Sequence, residues 1–160
     1  MAAYAFQTRW RVHAPAELVF DTIVEAERWP EWWRGVESVR LVREGAPDGI
    51  GTVHGYVFRS RLPYALRFEV EVTEIAKPHA LAGVSRGELA GTGRWTLTAV
   101  GEAQTDVTYD WRVATTSRWM NLFAPLARPL FERNHDIIME WGREGLARRL
   151  GVAVERRAAG

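Results

Sequence analysis

NLFAPLARPLFERNHDIIMEWGREGLARRL, residues Asn121–Leu150, is the stretch on which the fold turns. It is long enough for about eight helical turns, and its apolar side chains recur at helical spacing. Leu126, Leu130, Asn134, Ile137 or Ile138, Trp141 and Gly145 share one stripe, while Arg128, Glu132, Asp136, Arg143 and Glu144 mostly fall away from it. A proline costs little in a first turn but bends a helix once a backbone donor is needed. Pro125 and Pro129 therefore predict a broken start and a straight run from about Leu130. A lone amphipathic helix must bury its stripe against something, and most of the chain before it reads as strands. The expected class is α+β, a sheet gripping one long C-terminal helix.

Working back to the start, Tyr4, Phe6, Thr8, Trp10 and Val12 alternate with polar or small residues, the period of a strand with one wet face. PAELVFDTIVEAERW opens with a proline suited to a first helical position and lines up Leu18, Val19, Thr22, Ile23 and Ala26. Pro30 then interrupts, and RWPEWW reads as a short second helix capping one end of the sheet. Six further strands follow, separated by turn-rich strings: Val36 to Arg43, Thr52 to Ser60, Tyr64 to Ile75, Ala80 to Glu88, Gly91 to Val100 and Thr105 to Ala114. In the third of these, Leu66, Phe68, Val70 and Val72 face one way and Arg67, Glu69, Glu71 and Thr73 the other. Short loops between neighbours make the sheet antiparallel. The spacing predicts one domain over residues 1–150 and a small, charged tail, 151–160, that frays.

Composition narrows the function classes. A net charge of +1 with dispersed basic residues argues against a nucleic-acid partner. The absence of cysteine removes disulfides, thiolate nucleophiles and zinc-thiolate sites. No apolar run of membrane-spanning length occurs and the first ten residues lack a signal-type core, so a cytoplasmic protein without stable membrane insertion is expected. His13, His54, His79 and His135 share no metal-ligand spacing, and no metal or cofactor is expected. GELAGTG is followed by a strand-like segment and lacks the helix N-terminus that phosphate cradles use.

The strings PAELVFDTIVEAERWPEWWRGVESV, GELAGTGRWTL, TDVTYDWRV and APLARPLFERNHDIIMEWGREGLARRL resemble the START/Bet v 1-like (SRPBCC) superfamily, in particular its bacterial polyketide cyclase/dehydrase and lipid-transport branch. The resemblance covers nearly the whole chain. It implies a helix-grip fold: a curved, seven-stranded antiparallel sheet wrapped around the long C-terminal helix, with two short helices after strand one. It also implies a cavity between sheet and helix that takes an apolar ligand.

In such a cavity the informative residues are polar ones that periodicity places among apolar neighbours. Asn134 lies on the helix stripe and can orient a carbonyl or hydroxyl; its alternative is a structural hydrogen bond. His135 shares a flank with Phe131 and Ile138 and is a weak candidate acid or base beside Asn134. His54, Tyr56 and Phe58 alternate along one strand and face inward in one register. The opposite register buries Val53 and Val57 and turns Arg59 and Arg61 inward, which matters because aromatase/cyclases of the superfamily use a cavity arginine. Phe68, Trp10, Trp95, Trp111, Ile138 and Trp141 fall on inward positions, where they suit a ring-bearing ligand or simply pack the core.

Three readings follow: a binding module for a lipid, aromatic polyketide or similar metabolite; a polyketide cyclase or dehydratase; and a partner protein docking through the RWPEWW edge. The expected assembly is a monomer or weak homodimer.

Overall fold

The computed structural model describes residues 2–158, without the side chains of Trp119 and Ala124. Strand β1 (Ala3–Val12) leads into α1 (Ala16–Val24), a 3-10 turn (Ala26–Arg28) and the single-turn helix α2 (Trp29–Trp32). Strands β2 (Val36–Arg43), β3 (Val53–Arg59), β4 (Ala65–Ala76), β5 (Ala80–Gly87), β6 (Leu89–Ala99) and β7 (Thr105–Thr115) follow. Helices α3 (Arg118–Leu122) and α4 (Ala124–Leu150) and strand β8 (Val154–Arg157) complete the chain. The strands form one antiparallel sheet in the order β2-β3-β4-β5-β6-β7-β1-β8. This is a helix-grip fold.

The sheet has eight strands where seven were expected, because the tail does not fray over Val154–Arg157. Gly151 adopts φ 67° to end α4, and the chain then pairs with β1 from Val12↔Val154 to Arg9↔Arg157. Val154 is buried, and Arg143 on α4 donates to its carbonyl at 2.7 Å. Without side-chain alternation beyond one residue, so short an edge strand leaves little trace in sequence.

The long helix starts brokenly, as its prolines predict, but the break falls at Phe123 between α3 and α4. Pro129 sits inside α4, where it forfeits only the bond to the carbonyl of Pro125. The buried stripe is rotated from the expected one. Phe131, Asn134, Ile138, Met139, Gly142 and Leu146 are buried, whereas Leu126 and Leu130 are 83% and 55% exposed.

The cause is α2. Its tryptophans press onto a bare strip of α4: a Cβ on Gly142 would come within 2.6 Å of the Trp33 ring, and one on Gly145 within 1.8 Å of the Trp32 carbonyl oxygen. Trp33 Nε1 donates to the carbonyl of Ile138 at 2.8 Å. The glycines, more than the leucines, thus decide which face of α4 turns inward.

Two smaller expectations also shift. On α1 the buried set is Val19, Phe20 and Ile23, and Leu18 is exposed. In RWPEWW, Trp29, Trp32 and Trp33 are all buried, so no aromatic docking edge exists there.

Candidate functional site

Alternation along β3 to β7 sends a row of aromatic side chains to the inner face, and α1, α2 and α4 close over them. Two chambers remain between these layers. The sheet chamber, ≈ 80 Å³, lies under α1 and the 3-10 turn; the helix chamber, ≈ 60 Å³, lies under α4. Trp29, Phe58, Phe68, Tyr109 and Trp111 line both and act as a partition. The partition is tightly stacked: Tyr56 lies 5.4 Å from Phe68 at 13°, and Tyr109 lies 4.1 Å from Trp95 at 20°.

The register of β3 is the one that turns His54, Tyr56 and Phe58 inward. Arg59 is exposed and pairs with Glu37 at 3.1 Å, and Arg61 is exposed as well. An inward arginine is therefore ruled out, consistent with the cost of burying an unpaired guanidinium. Among the described residues, no Asp, Glu, Lys or Arg lines either chamber.

Of the residues read from the sequence, His54, Tyr56, Phe58, Phe68, Trp95 and Trp111 meet in the sheet chamber. Asn134, His135 and Ile138 meet in the helix chamber. Trp141 belongs to neither: a Cβ on Gly35 would lie 3.1 Å from its ring, which carries the Arg34 guanidinium 4.2 Å above it. Rotation of the α4 stripe moves it to the rim. Trp10 is core, buried against Trp95. Tyr109, Trp29 and Trp33 were missed. Tyr109 was legible, since it shares the parity of Trp111 on β7; the tryptophans belong to a one-turn helix whose orientation no periodicity sets.

The polar groups are few. Asn134 is buried, and its side-chain oxygen accepts from Ser60 Oγ, which ties the β3–β4 loop to α4. His135 stacks on Phe6 at 3.8 Å and 8°, and both its ring nitrogens are buried with no hydrogen-bond partner among the described residues. Burial pushes its pKa down to about 4 against a smaller opposing pull from Asp136, so the ring is neutral near pH 7. Burial likewise pushes the Tyr56 and Tyr109 phenols far above their usual range. At the rim of the sheet chamber, His54 Nε2 lies 3.3 Å from Glu27 Oε1 on the 3-10 turn. This set can hold or orient an uncharged oxygen; a neutral imidazole can also pass a proton.

A family model described as polyketide cyclase / dehydrase and lipid transport matches residues 5–151. The chain belongs to that family. No curated protein sequence matches it.

Among solved structures it is similar to an aromatase/cyclase from Streptomyces sp. R1128, with 15% identity, 89% of this chain and 95% of that one covered, and a TM-score of 0.62. A START superfamily protein from Mycobacterium smegmatis aligns at 14% identity over 84% and 98% of the two chains, TM-score 0.61. A protein from Thermus thermophilus aligns at 20% identity over 86% and 93%, TM-score 0.66. At these identities the likeness is one of fold alone. No helix among the described residues is long and apolar enough to cross a membrane.

Proposed function

We propose that this protein binds a neutral, hydrophobic, ring-bearing molecule between its sheet and α4. The observation that carries this reading is the pair of aromatic-walled chambers with no carboxylate, ammonium or guanidinium in their lining among the described residues. The family also includes lipid transport in its description. At ≈ 80 and ≈ 60 Å³ the chambers are well below the roughly 300–1,000 Å³ of ordinary ligand pockets. Two sizes of ligand therefore fit: a single ring in one chamber, or a larger lipid or polyketide once the Phe58–Phe68 partition swings aside and merges the two.

A size-graded panel of neutral aromatics, with a fatty acid and a hydrophilic charged compound as comparisons, tests this by titration calorimetry. Saturable binding of the neutral members is expected. Failure of the whole panel to bind, or binding of the charged hydrophilic compound alone, contradicts it.

One observation favours turnover as a second reading: a neutral imidazole, His135, with no hydrogen-bond partner among the described residues and its Nδ1 3.6 Å from Asp136 Oδ1, lies beside Asn134 in the helix chamber. Under that reading the protein is a polyketide cyclase or dehydratase in which His135 moves a proton and Asn134 orients a carbonyl. His135→Leu then lowers product formation from a poly-keto substrate by about a hundredfold with binding retained. Binding without any turnover by the parent protein leaves the first reading.

A further inference from the structure

The start of α4 turns an apolar ridge to solvent. Leu126, Leu122, Leu130 and Phe123, at 83%, 75%, 55% and 52% exposed, are the most exposed large apolar side chains among the described residues, and all lie between positions 122 and 130. Single exposed leucines are ordinary on a folded surface, whereas a contiguous group of them marks a contact.

Positive charge bounds the ridge. Arg118, Leu122, Leu126 and Leu130 recur at four-residue spacing, Phe123 keeps a nearly helical turn between α3 and α4 (φ −99°, ψ 13°), and Arg133 follows Leu130 by three. They therefore lie along one side, leucines in the middle and an arginine at each end. Arg118 and Arg133 are exposed, and neither has an ion-pair or hydrogen-bond partner among the described residues. Residues 111–131 contain no Asp or Glu. Glu132, the first acid beyond them, pairs with Arg128 at 3.5 Å, and Asp136 lies past the second arginine.

This pattern selects among occupants. A second copy seated on the same face would bring arginine against arginine, with no carboxylate between positions 111 and 131 to meet them. A folded protein partner needs a groove cut to fit a protruding ridge, whereas the acyl boundary of a bilayer yields to it. Anionic lipid headgroups supply the countercharge, and a phosphate accepts the parallel N–H donors of a guanidinium.

We propose that this face docks reversibly on anionic lipid bilayers, with Leu122, Phe123, Leu126 and Leu130 entering the acyl boundary and Arg118 and Arg133 meeting headgroup phosphates. Phe131 and Asn134, on the adjoining turn, line the helix chamber, so a docked molecule keeps that chamber beside the phase in which apolar molecules dissolve. Docking does not require either chamber to be filled.

Co-flotation of the full chain with vesicles tests this. Vesicles of equal parts phosphatidylcholine and phosphatidylglycerol should bind the protein at least about tenfold more tightly than phosphatidylcholine alone, and raising salt from about 0.05 to 0.5 M should release most of it. Leu126→Gln combined with Leu130→Gln should weaken binding to the mixed vesicles about tenfold or more. Arg118→Gln combined with Arg133→Gln should weaken it about fivefold or more. Leu18→Gln, at an exposed site on α1, should change nothing. All five sites are exposed, so the variants should fold as the parent does, which circular dichroism checks.

A parent protein that does not float with the mixed vesicles overturns the proposal. Binding that survives the paired leucine substitutions, or that is equally tight on both kinds of vesicle, overturns it as well. A dimer that the leucine substitutions disperse, in a protein that floats with neither vesicle, assigns the face to a second copy instead.

Discussion

Gly145→Ala sets helix propensity against packing. In an isolated helix the change stabilises by about 1 kcal/mol. Here the new methyl group would stand 1.8 Å from the carbonyl oxygen of Trp32, against the 3.0 Å or more that real Cβ contacts keep. Backbone, not a flexible side-chain tip, must then move by more than about 1 Å, carrying α2 away from α4. Overpacking of this kind costs typically 1 to 3 kcal/mol or more. The displacement also loosens the buried bond from Trp33 Nε1 to the Ile138 carbonyl, worth a further 1 to 3 kcal/mol when its groups are left unpaired. After the propensity gain, a net loss of about 1 to 5 kcal/mol remains, centred near 3, or a melting temperature roughly 10 °C lower for a chain of this size. Calorimetric melting of the purified variant measures it. Gly142→Ala, which meets the tilting edge of the Trp33 ring, should cost less. A Gly145→Ala protein as stable as the parent would refute the claim that α2 is seated on a bare strip of α4.

Other expectations concern the same helix and the tail. Leu126→Gln should change stability by less than about 0.5 kcal/mol, while Leu146→Ala, at a fully buried site, should cost about 2 to 5 kcal/mol in denaturant titrations. His135 takes up a proton near pH 6.5 in the unfolded chain and near pH 4 in the folded one, so its contribution is intact above about pH 6.5 and stability falls as pH drops from there to about 4, by roughly 2 to 3 kcal/mol. His135→Leu should flatten that part of a stability–pH curve; an unchanged slope would mean the ring is open to solvent. Truncation after Ala153 removes the buried Val154 and its pairing with β1, and should lower the melting temperature measurably.

The alternation of β1 and β4 and the length of the Asn121–Leu150 stretch were enough to read the architecture, because a period-2 face or a long amphipathic run has one way to be buried. The inward set of His54, Tyr56 and Phe58 followed from the same parity once Phe58 was placed. What periodicity could not carry was rotation. Leu126 and Leu130 look like core on a helical wheel, and only the tertiary approach of Trp32 and Trp33 shows that glycine, at 142 and 145, marks the buried face. The same rotation displaced Trp141 from the site to the rim. Tyr109 went unnoticed for another reason: Trp111, of the same parity, already accounted for that face of β7.

The most direct test of a ligand held between sheet and helix is a titration of the ¹⁵N-labelled protein with ethylbenzene, followed at the tryptophan indole N–H resonances. Trp29, Trp33, Trp95 and Trp111 line the chambers, and Trp141 lies outside them. The account predicts saturable shifts at the four chamber indoles with Trp141 unmoved. Resonances that stay in place up to the solubility limit of the probe, or that move only at Trp141, would contradict it.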